Sequence, residues 1–386
     1  MTAGWTRRAA LRAGLGVGVA GGIAGIADLA PGGTGGRGGG SLRIGYLPIT
    51  DAAPLLVGHE QGYFARAGLA TERPVLFRGW ESLAQAFLTG AVDVVHLLMP
   101  FAVQLRYALG ADITVLGWNH TNGSAVTVAP DVRELGQLAG RSLAIPFWWS
   151  IHNVMVQRML RAAGLRPVVR EDPSARAGTV RLVVLSPADM LPALHTGTIG
   201  AYVVADPFNA AAEAEHAGRI LRFVGDAWRD HACCVVVVRG ELVRTAPDRV
   251  QALTDGLVAA QRGISGDRRA AAGLLSRSRY LPQPLPAITR ALTYPEPTAT
   301  AAHPGWQGQR IGFAPYPFPS FTDSLVDAMR DTVVDGDRGF LDGIGGRTAH
   351  RELVDDRFVR HSLTDLGGPA VFGLPPSLTR IEEIRP

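Results

Sequence analysis

From Ser41 onward, short apolar stretches alternate with segments of helical periodicity, and this alternation constrains the fold more than any other feature of the chain. Apolar stretches typical of buried strands occur at 42–47, 93–98, 113–118, 142–146, 180–185, 199–204 and 232–238. Helical periodicity fills the intervals, for example at 82–89, 152–163 and 247–262. Strand–helix alternation of this kind predicts an α/β fold with largely parallel sheets. Because it contains more units than one ordinary open sheet uses, we expect two lobes.

The first forty residues are typical of an export signal followed by a linker. Arg7 and Arg8 precede an Ala/Gly/Val/Ile run over 13–27, which is too short and too rich in glycine for a transmembrane helix. Adjacent arginines indicate the twin-arginine type of signal, although Ala10 stands where Phe or Leu is usual. The stretch PGGTGGRGGG at 31–40 predicts a flexible linker. We therefore expect an exported, extracytoplasmic protein.

The distribution of charge excludes several function classes. The formal net charge is +4, and residues 1–40 carry +3 of it, since four arginines there face only Asp28. The remaining chain is close to neutral and has no basic runs, which excludes a nucleic-acid partner. All 38 basic residues are arginine, so Schiff-base lysine chemistry and a P-loop lysine are excluded.

Catalytic and metal-binding signatures are absent from the sequence. It contains no G-x-S-x-G, no H-E-x-x-H, and no G-x-G-x-x-G that opens a helix after a strand. The ten histidines are scattered, and none has metal-ligand spacing to a second histidine or a cysteine. We therefore expect no cofactor and no metal, and a zinc site only through long-range assembly of residues distant in sequence.

Polar and aromatic clusters follow several predicted strands, where the chain enters the next helix. The candidate ligand-binding residues in these clusters are Thr50, Asp51, Trp80, Asn122, Ser124, Trp148, Trp149, His152, Asp206, Cys233 and Cys234. The richest cluster lies at 147–153, where three aromatics, a serine and a histidine resemble the wall of a small-molecule cleft. Thr50 and Asp51 precede a helix start that could hold an anion, although their spacing alone favours a plain N-cap.

Cys233 and Cys234 are the only cysteines in the chain. Adjacent thiols can form a strained vicinal disulfide, whereas buried free thiols are commoner. The apolar run over 235–238 favours burial. The sequence leaves open whether the two thiols are bridged.

The clusters also carry a resemblance to a known family. The run LRIGYLPITDAAPLLVGHEQGYFARAGL, followed by VDVVHLLMP and WNHTNGSAVTV, resembles the nitrate/bicarbonate-type solute-binding proteins of ABC importers. The same group contains sulfonate, taurine and thiamine-precursor binders. The segments IPFWWSIHNVMVQRMLRAAGL, VADPFN and WRDHACCVVVV continue the resemblance in the expected order. It covers residues 42–265 well and the carboxyl-terminal part loosely.

The resemblance implies a two-lobed Venus-flytrap fold, the type II periplasmic-binding-protein fold, with ligand closed between the lobes. The implied segments are an export signal and linker at 1–40, a first lobe at 41–128 plus 236–345, a second lobe at 129–235, and a tail at 346–386 packing on the first lobe. Trp80 resembles the family's pocket tryptophan, the turn at 122–124 its first-lobe ligand contact, and His152 its second-lobe histidine.

The function implied is the binding component of an ABC importer, a monomer without catalytic activity that delivers solute to permease and ATPase subunits. The solute would be a small anion of the nitrate, bicarbonate or sulfonate class, or a small organic molecule. One departure weakens the prediction that the solute is nitrate or bicarbonate. Where such binders place a lysine after Asp-His-Pro, this chain reads Asp230-His231-Ala232 and then two cysteines. Arg78 or Arg229 could replace that cation, or neutral donors could suffice.

The alternative is an enzyme on the same scaffold, with thiamine- or menaquinone-precursor chemistry. Its candidate residues are His59, His152 and the two adjacent cysteines.

Overall fold

Two β-sheets, built from the alternating apolar stretches, organise the chain. The computed structural model describes residues 40–294, 306 and 308–386, and Ser41–Pro386 form one compact unit. The strands are β1 Ile44–Tyr46, β2 Val75–Leu76, β3 Val94–Leu98, β4 Ile113–Trp118, β5 Thr121–Asn122, β6 Ser124–Val128, β7 Ser142–Ile145, β8 Arg166–Val168, β9 Thr179–Val184, β10 Ala201–Ala205, β11 Arg219–Phe223, β12 Cys234–Arg239 and β13 Ile311–Gly312. Every strand predicted from the sequence occurs close to its predicted limits.

Helices cover the sheets and connect their strands. They are α1 Ala53–Glu60, α2 Tyr63–Arg66, α3 Trp80–Leu88, α4 Met99–Tyr107, α5 Ile151–Ala162, α6 Pro187–His195, α7 Phe208–Ala214, α8 Val224–Ala227, α9 Gly240–Thr245, α10 Pro247–Gly266, α11 Arg268–Arg277, α12 Leu285–Leu292, α13 Pro319–Arg330, α14 Gly346–Leu353 and α15 Arg357–Asp365. The 20-residue α10 begins with Pro247, whose fixed φ suits a first helical position. Gly256 lets α10 approach Phe64, since a Cβ there would lie 2.5 Å from the ring.

The first sheet has the strand order β2-β1-β3-β12-β4. β1 is parallel to β2 and β3, whereas β12 is antiparallel to β3 and β4. The prediction of largely parallel sheets is therefore wrong for this sheet, which is mixed. The reason is the direction of re-entry: Cys234 starts β12 opposite Leu98, the last residue of β3, so the chain enters from the end where β3 leaves.

The second sheet has the order β11-β6-β10-β7-β9-β8. Its four strands from β10 to β8 are parallel, and β6 is antiparallel to β10 and β11. Because β6 starts at Ser124, the chain enters this sheet before the crossing expected near residue 128. It returns to the first sheet at Cys234, slightly before the expected return near 236.

The carboxyl-terminal part contacts both sheets. Helix α15 packs on α10 and β4, on the side of the first sheet. The tail expected to pack on the first lobe ends differently, because Ile384 bridges to Trp228, close to β11 of the second sheet. The segment before the tail also reaches the second sheet's helices, since Gln157 of α5 exchanges two hydrogen bonds with the backbone of Val333 at 2.7 and 2.9 Å.

Residues 1–39, with the expected twin-arginine signal and most of the linker, lie outside the described residues. Among the helices that are described, none combines the length and the apolar character that crossing a membrane requires.

Candidate functional site

The carboxyl ends of β1, β3 and β4 meet the start of β12 at one edge of the first sheet. Asp51 lies in a short 3-10 turn, Thr50–Ala52, that follows β1. His120 lies just after β4, and Cys233 and Cys234 lie where the chain re-enters at β12. Ligand sites of open α/β sheets lie at the carboxyl ends of the strands. We call Asp51, His120, Cys233 and Cys234 the cleft cluster.

The cleft cluster is closely spaced and completely buried, each residue being 0% exposed. His120 Nε2 lies 2.9 Å from Asp51 Oδ2, and the Cys234 thiol lies 3.4 Å from the same oxygen. The backbone N–H of Cys234 donates to His120 Nε2 at 3.2 Å. One ligand atom from each of the four side chains lies within 4.8 Å of the other three, and both thiols are free. The structure thus contains a long-range assembly of metal-ligand side chain types.

Burial and mutual contact shift the pKa values within the cleft cluster. Burial raises the pKa of Asp51 to about 6, against the opposing effect of His120. Burial opposes the charge of His120, but Asp51 and Cys233 raise its pKa to about 10. Burial also opposes ionisation of Cys233, yet Cys234 and two histidine rings hold its pKa well below the usual range, whereas burial and Cys233 raise the pKa of Cys234.

Side chains of the second sheet close over the cleft cluster. His152, near the start of α5, places its Nε2 2.8 Å from Ser124 Oγ and 3.9 Å from Cys233 Sγ. Thr50 donates to the carbonyl of Asp206 from its hydroxyl at 2.8 Å and from its backbone N–H at 2.9 Å. Ser124 begins β6 and Asp206 directly follows β10, both on the side of the second sheet, whereas Thr50 follows β1 of the first. The two sheets are therefore in direct contact across the site.

Several buried polar atoms around this seam have no hydrogen-bond partner among the described residues. They are Asp51 Oδ1, Trp80 Nε1, His96 Nδ1, Asn119 Oδ1, His120 Nδ1, His152 Nδ1 and His231 Nε2. Burial lowers the pKa of His96 to about 3 and that of His231 to about 4, so both rings are neutral at pH 7. Because buried polar groups are nearly always paired, a concentration of exceptions indicates a binding site for a ligand, water or ion.

Arg310 adds a buried positive charge beside the seam. It is 1% exposed and is carried there by β13, where Ile311 pairs with Asn122 of β5. Its Nη2 donates to Glu213 at 2.7 Å, and its Nη1 lies 3.7 Å from Asp206 Oδ2. Burial opposes the charge, but these two carboxylates raise the pKa of Arg310. Glu213 also lies 3.4 Å from Arg290 Nε, so two arginines and two carboxylates form this network, and Arg310 Nε and Nη1 have no hydrogen-bond partner among the described residues.

Most of the residues predicted to bind ligand lie at this seam. Asp51, Ser124, His152, Cys233 and Cys234 contact one another there, and Thr50 and Asp206 join the two sheets beside them. Trp80 is 3% exposed and lies next to the seam, with its ring centroid 5.5 Å from that of His96.

The other predicted residues have different contacts. Asn122 exchanges two 2.9 Å hydrogen bonds with Asp230. Trp149 is buried edge-on against Phe340, at a centroid distance of 5.3 Å, and Trp148 is half-buried. The expectation that these tryptophans form an aromatic wall of the cleft stays a prediction. The contact observed for Trp149 lies in the core.

The residues considered as substitutes for the missing lysine, or as enzyme candidates, lie elsewhere. Arg78 and Arg229 are exposed, and Arg229 lies over the Trp306 ring at 5.3 Å. His59 lies in the last turn of α1, where its Nδ1 contacts Thr71 Oγ1 at 2.8 Å. None of the three belongs to the cleft cluster.

Sequence reasoning missed two central residues. His120 stands in the polar turn 119–124, but its role depends on Asp51 and Cys234, which lie far away in the chain. Its position directly after an apolar strand was the available signal. Arg310 lies in a Pro- and Gly-rich region without motif, and only the pairing of β13 with β5 brings it to the seam.

Comparison with known proteins places the chain in the NMT1-like family. The model of the NMT1-like family matches residues 37–276, which is more than half of the chain. The nitrate/nitrite binding protein NrtA of Nostoc sp. is 25% identical over 241 residues, covering 57% of this chain and 53% of the relative. The chain thus spans about half the length of the curated relatives it matches. The resemblance found in the sequence is confirmed.

Two solved structures show the fold. The periplasmic nitrate-binding protein NrtA of Synechocystis superposes with a TM-score of 0.72 and 16% identity, covering 88% of this chain and 92% of that one. The ligand-binding component of an ABC-type import system from Staphylococcus aureus, solved with zinc bound, gives a TM-score of 0.66 and 20% identity, covering 83% and 98%. The predicted α/β periplasmic-binding-protein fold is therefore confirmed.

Proposed function

This chain belongs to the NMT1-like family, and we propose from that membership that it is the extracytoplasmic solute-binding component of an ABC importer. The proposed solute is a small anion of the nitrate, bicarbonate or sulfonate class, or a small organic molecule, held between the two lobes. The names of two similar proteins, a nitrate/nitrite binding protein and the ligand-binding component of an ABC-type import system, support this role. The proposed partners are permease and ATPase subunits, which meet a monomer exported by the twin-arginine route.

The observation that carries the proposal is the concentration of unpaired buried polar atoms between the two sheets. Asp51 Oδ1 and Trp80 Nε1 approach the seam from the first sheet, and His152 Nδ1 approaches it from the second; none has a hydrogen-bond partner among the described residues. A solute bound there would supply the missing partners to both lobes at once. A clamp that closes on a solute requires hydrogen-bonding groups from both lobes.

The charges at the seam narrow the class of solute. His120 Nε2 lies 2.9 Å from Asp51 Oδ2, and Arg310 donates to Glu213 at 2.7 Å, so both of these basic side chains already have a carboxylate partner. Burying a bare anion without a free cation is costly. This arrangement favours a small polar organic solute. Among anions it favours those held by neutral donors such as the Ser124 hydroxyl.

Binding would act by shifting the equilibrium between open and closed lobes. The contacts of Thr50 with Asp206, and of Cys233 with His152, join the lobes in the structure described. A solute stabilises the closed state by the difference between its affinities for the two states. The closed form would then be the one that the permease recognises. No chemical step is part of the proposed role.

The proposal is tested by thermal melting of the full chain against nitrate, nitrite, bicarbonate, taurine, alkanesulfonates and pyrimidine thiamine precursors. A solute at a hundred times its Kd stabilises the folded state by about 2.7 kcal/mol, which raises Tm by roughly several degrees. We expect one class to produce this shift, and His152→Gln and Trp80→Ala to abolish it. His59→Gln is the matched control and should respond as the wild type does.

Two results would contradict the proposal. One is the absence of any shift across the panel, together with the absence of a co-purifying small molecule in native mass spectrometry. The other is a shift that survives both His152→Gln and Trp80→Ala, which would place the solute outside the seam. Sedimentation of the wild type checks the proposed monomer.

A further inference from the structure

We propose that Asp51, His120, Cys233 and Cys234 bind one zinc ion between the two lobes. The four side chains offer two thiolates, one imidazole nitrogen and one carboxylate oxygen, and these donors converge from three separate parts of the chain. A set of two sulfur, one nitrogen and one oxygen ligand in a four-coordinate site is typical of Zn²⁺. The proposal goes beyond solute binding and does not depend on it.

The spacing of the donors suits a tetrahedral ion. With zinc–ligand distances of about 2.0–2.3 Å, tetrahedral ligand atoms lie roughly 3.3–3.8 Å apart. The donor atoms of the cleft cluster all lie within 4.8 Å of one another, and Cys234 Sγ is 3.4 Å from Asp51 Oδ2. Side-chain movements of under about 1 Å would therefore complete the site, which is within the reach of small changes in rotamer.

The orientation of His120 favours a metal site over a cysteine nucleophile. In a Cys-His-Asp arrangement the imidazole uses one ring nitrogen for the carboxylate and the other for the thiol. Here Asp51 and the backbone of Cys234 both approach Nε2. The opposite nitrogen, Nδ1, has no hydrogen-bond partner in the part of the chain that the structure describes. A ring nitrogen that faces the carboxylate, with both thiols offering ligand atoms within 4.8 Å of the same group, is compatible with one shared central ion.

Neighbouring side chains would support the ligands. His152 Nε2 lies 3.9 Å from Cys233 Sγ and is held by Ser124 at 2.8 Å. Asn119 Nδ2 donates to the backbone carbonyl of Asp51 at 2.5 Å. Such contacts orient metal ligands and typically change affinity by about 10–100-fold. Because His152 of α5 and Ser124 of β6 belong to the second lobe, opening of the lobes would give the ion its entry path.

A metal titration of the full chain tests the proposal. The reduced protein is freed of metal with a chelator and titrated with Zn²⁺ against a competing chromophoric chelator, without any solute. We expect one zinc per chain, and Co²⁺ in place of zinc should give thiolate-to-cobalt charge-transfer absorption with the strong visible bands of a tetrahedral site. His120→Gln should weaken zinc binding about 100-fold, because it removes one of the four ligands and its part of the binding free energy.

Two further variants keep the test decisive. The double substitution Cys233→Ser with Cys234→Ser should abolish both zinc binding and the charge-transfer absorption, while its Tm in the absence of metal shows that it folds. His59→Gln, a histidine outside the cleft cluster, should bind zinc within about twofold of the wild type. Absence of saturable zinc binding in the reduced wild type, or retention of the zinc in the double variant, would overturn the proposal. Neither result would bear on the solute-dependent melting shift.

Discussion

The two ends of the first sheet each bury an aspartate, and they treat it in opposite ways. Asp93 lies at the amino-terminal end of β3, where both its oxygens are occupied: Oδ2 accepts two hydrogen bonds from Arg43 at 3.0 Å, and Oδ1 accepts from Arg43 at 2.9 Å and Arg239 at 2.8 Å. Asp51 lies at the carboxyl end of β1, with one oxygen shared by His120 and Cys234 and the other unpaired among the described residues.

Their pKa values differ accordingly. Burial would raise the pKa of Asp93, but the hydrogen bonds from Arg43 and Arg239 lower it below 3.8. Burial dominates at Asp51 and raises its pKa to about 6. A fully paired carboxylate stabilises the fold. A buried, partly paired carboxylate lowers stability but keeps an oxygen that can bind a ligand or ion. The first sheet thus has a fully paired aspartate, Asp93, at one end and a partly paired aspartate, Asp51, at the end where we propose binding.

The largest expected difference concerns metal affinity. Asp51→Asn should weaken zinc binding about 100-fold, or roughly 2.7 kcal/mol, because it removes a charged ligand. Asp93→Asn, the same substitution at the opposite end, should leave the affinity within about twofold of the wild type. Isothermal titration of both variants with Zn²⁺ measures this, and equal losses in the two would abolish the proposed separation.

A smaller effect of the opposite kind is expected on stability. Asp93→Asn should lower the free energy of unfolding by about 2 kcal/mol, because charge-assisted hydrogen bonds to two guanidinium groups are lost. Asp51→Asn in metal-free protein should change it by less than about 1 kcal/mol, since the variant also removes a buried charge. Urea unfolding of the metal-free proteins measures both values. A loss at Asp51 as large as that at Asp93 would make Asp51 a structural residue.

The smallest expected effect is on acid sensitivity. Because the pKa of Asp93 is lower in the folded protein than its ordinary value of 3.8, its contribution to stability is present above that pH and is lost as the pH falls through the folded pKa. Asp93→Asn should therefore show a shallower fall of the unfolding free energy below about pH 4 than the wild type. Urea unfolding at a series of pH values tests this, and parallel curves would contradict the assignment.

Much of the fold could be predicted because it depends on local pattern. The stretches VVHLL at 94–98 and CVVVVR at 234–239 are rich in valine and leucine, and both are strands in the structure. Six of the described strands were missed: β2, β5, β8 and β13 have only two or three residues each, and β6 and β11 lie beside the crossings between the sheets. Direction could not be read from pattern either, since the antiparallel entry of β12 depends on where the chain returns and not on which residues it contains.

The candidate site was predictable only in pieces. Asp51, His152 and the two cysteines were found because each stands at a strand end or a helix start in an unusual local cluster. His120 was not selected, because a histidine in a polar turn is ordinary until Asp51 is seen 2.9 Å away. The same limit applied to the zinc ligands, whose spacing in sequence, from 51 to 234, carries no metal signature. Convergence in space created the site.

The most direct test of the proposed zinc site is anomalous diffraction at the zinc absorption edge from crystals of the full chain grown with Zn²⁺. If the cleft cluster binds zinc, one anomalous peak will be enclosed by Asp51, His120, Cys233 and Cys234, at the carboxyl end of β1. A zinc position elsewhere in the molecule, with those four side chains unliganded, would contradict it.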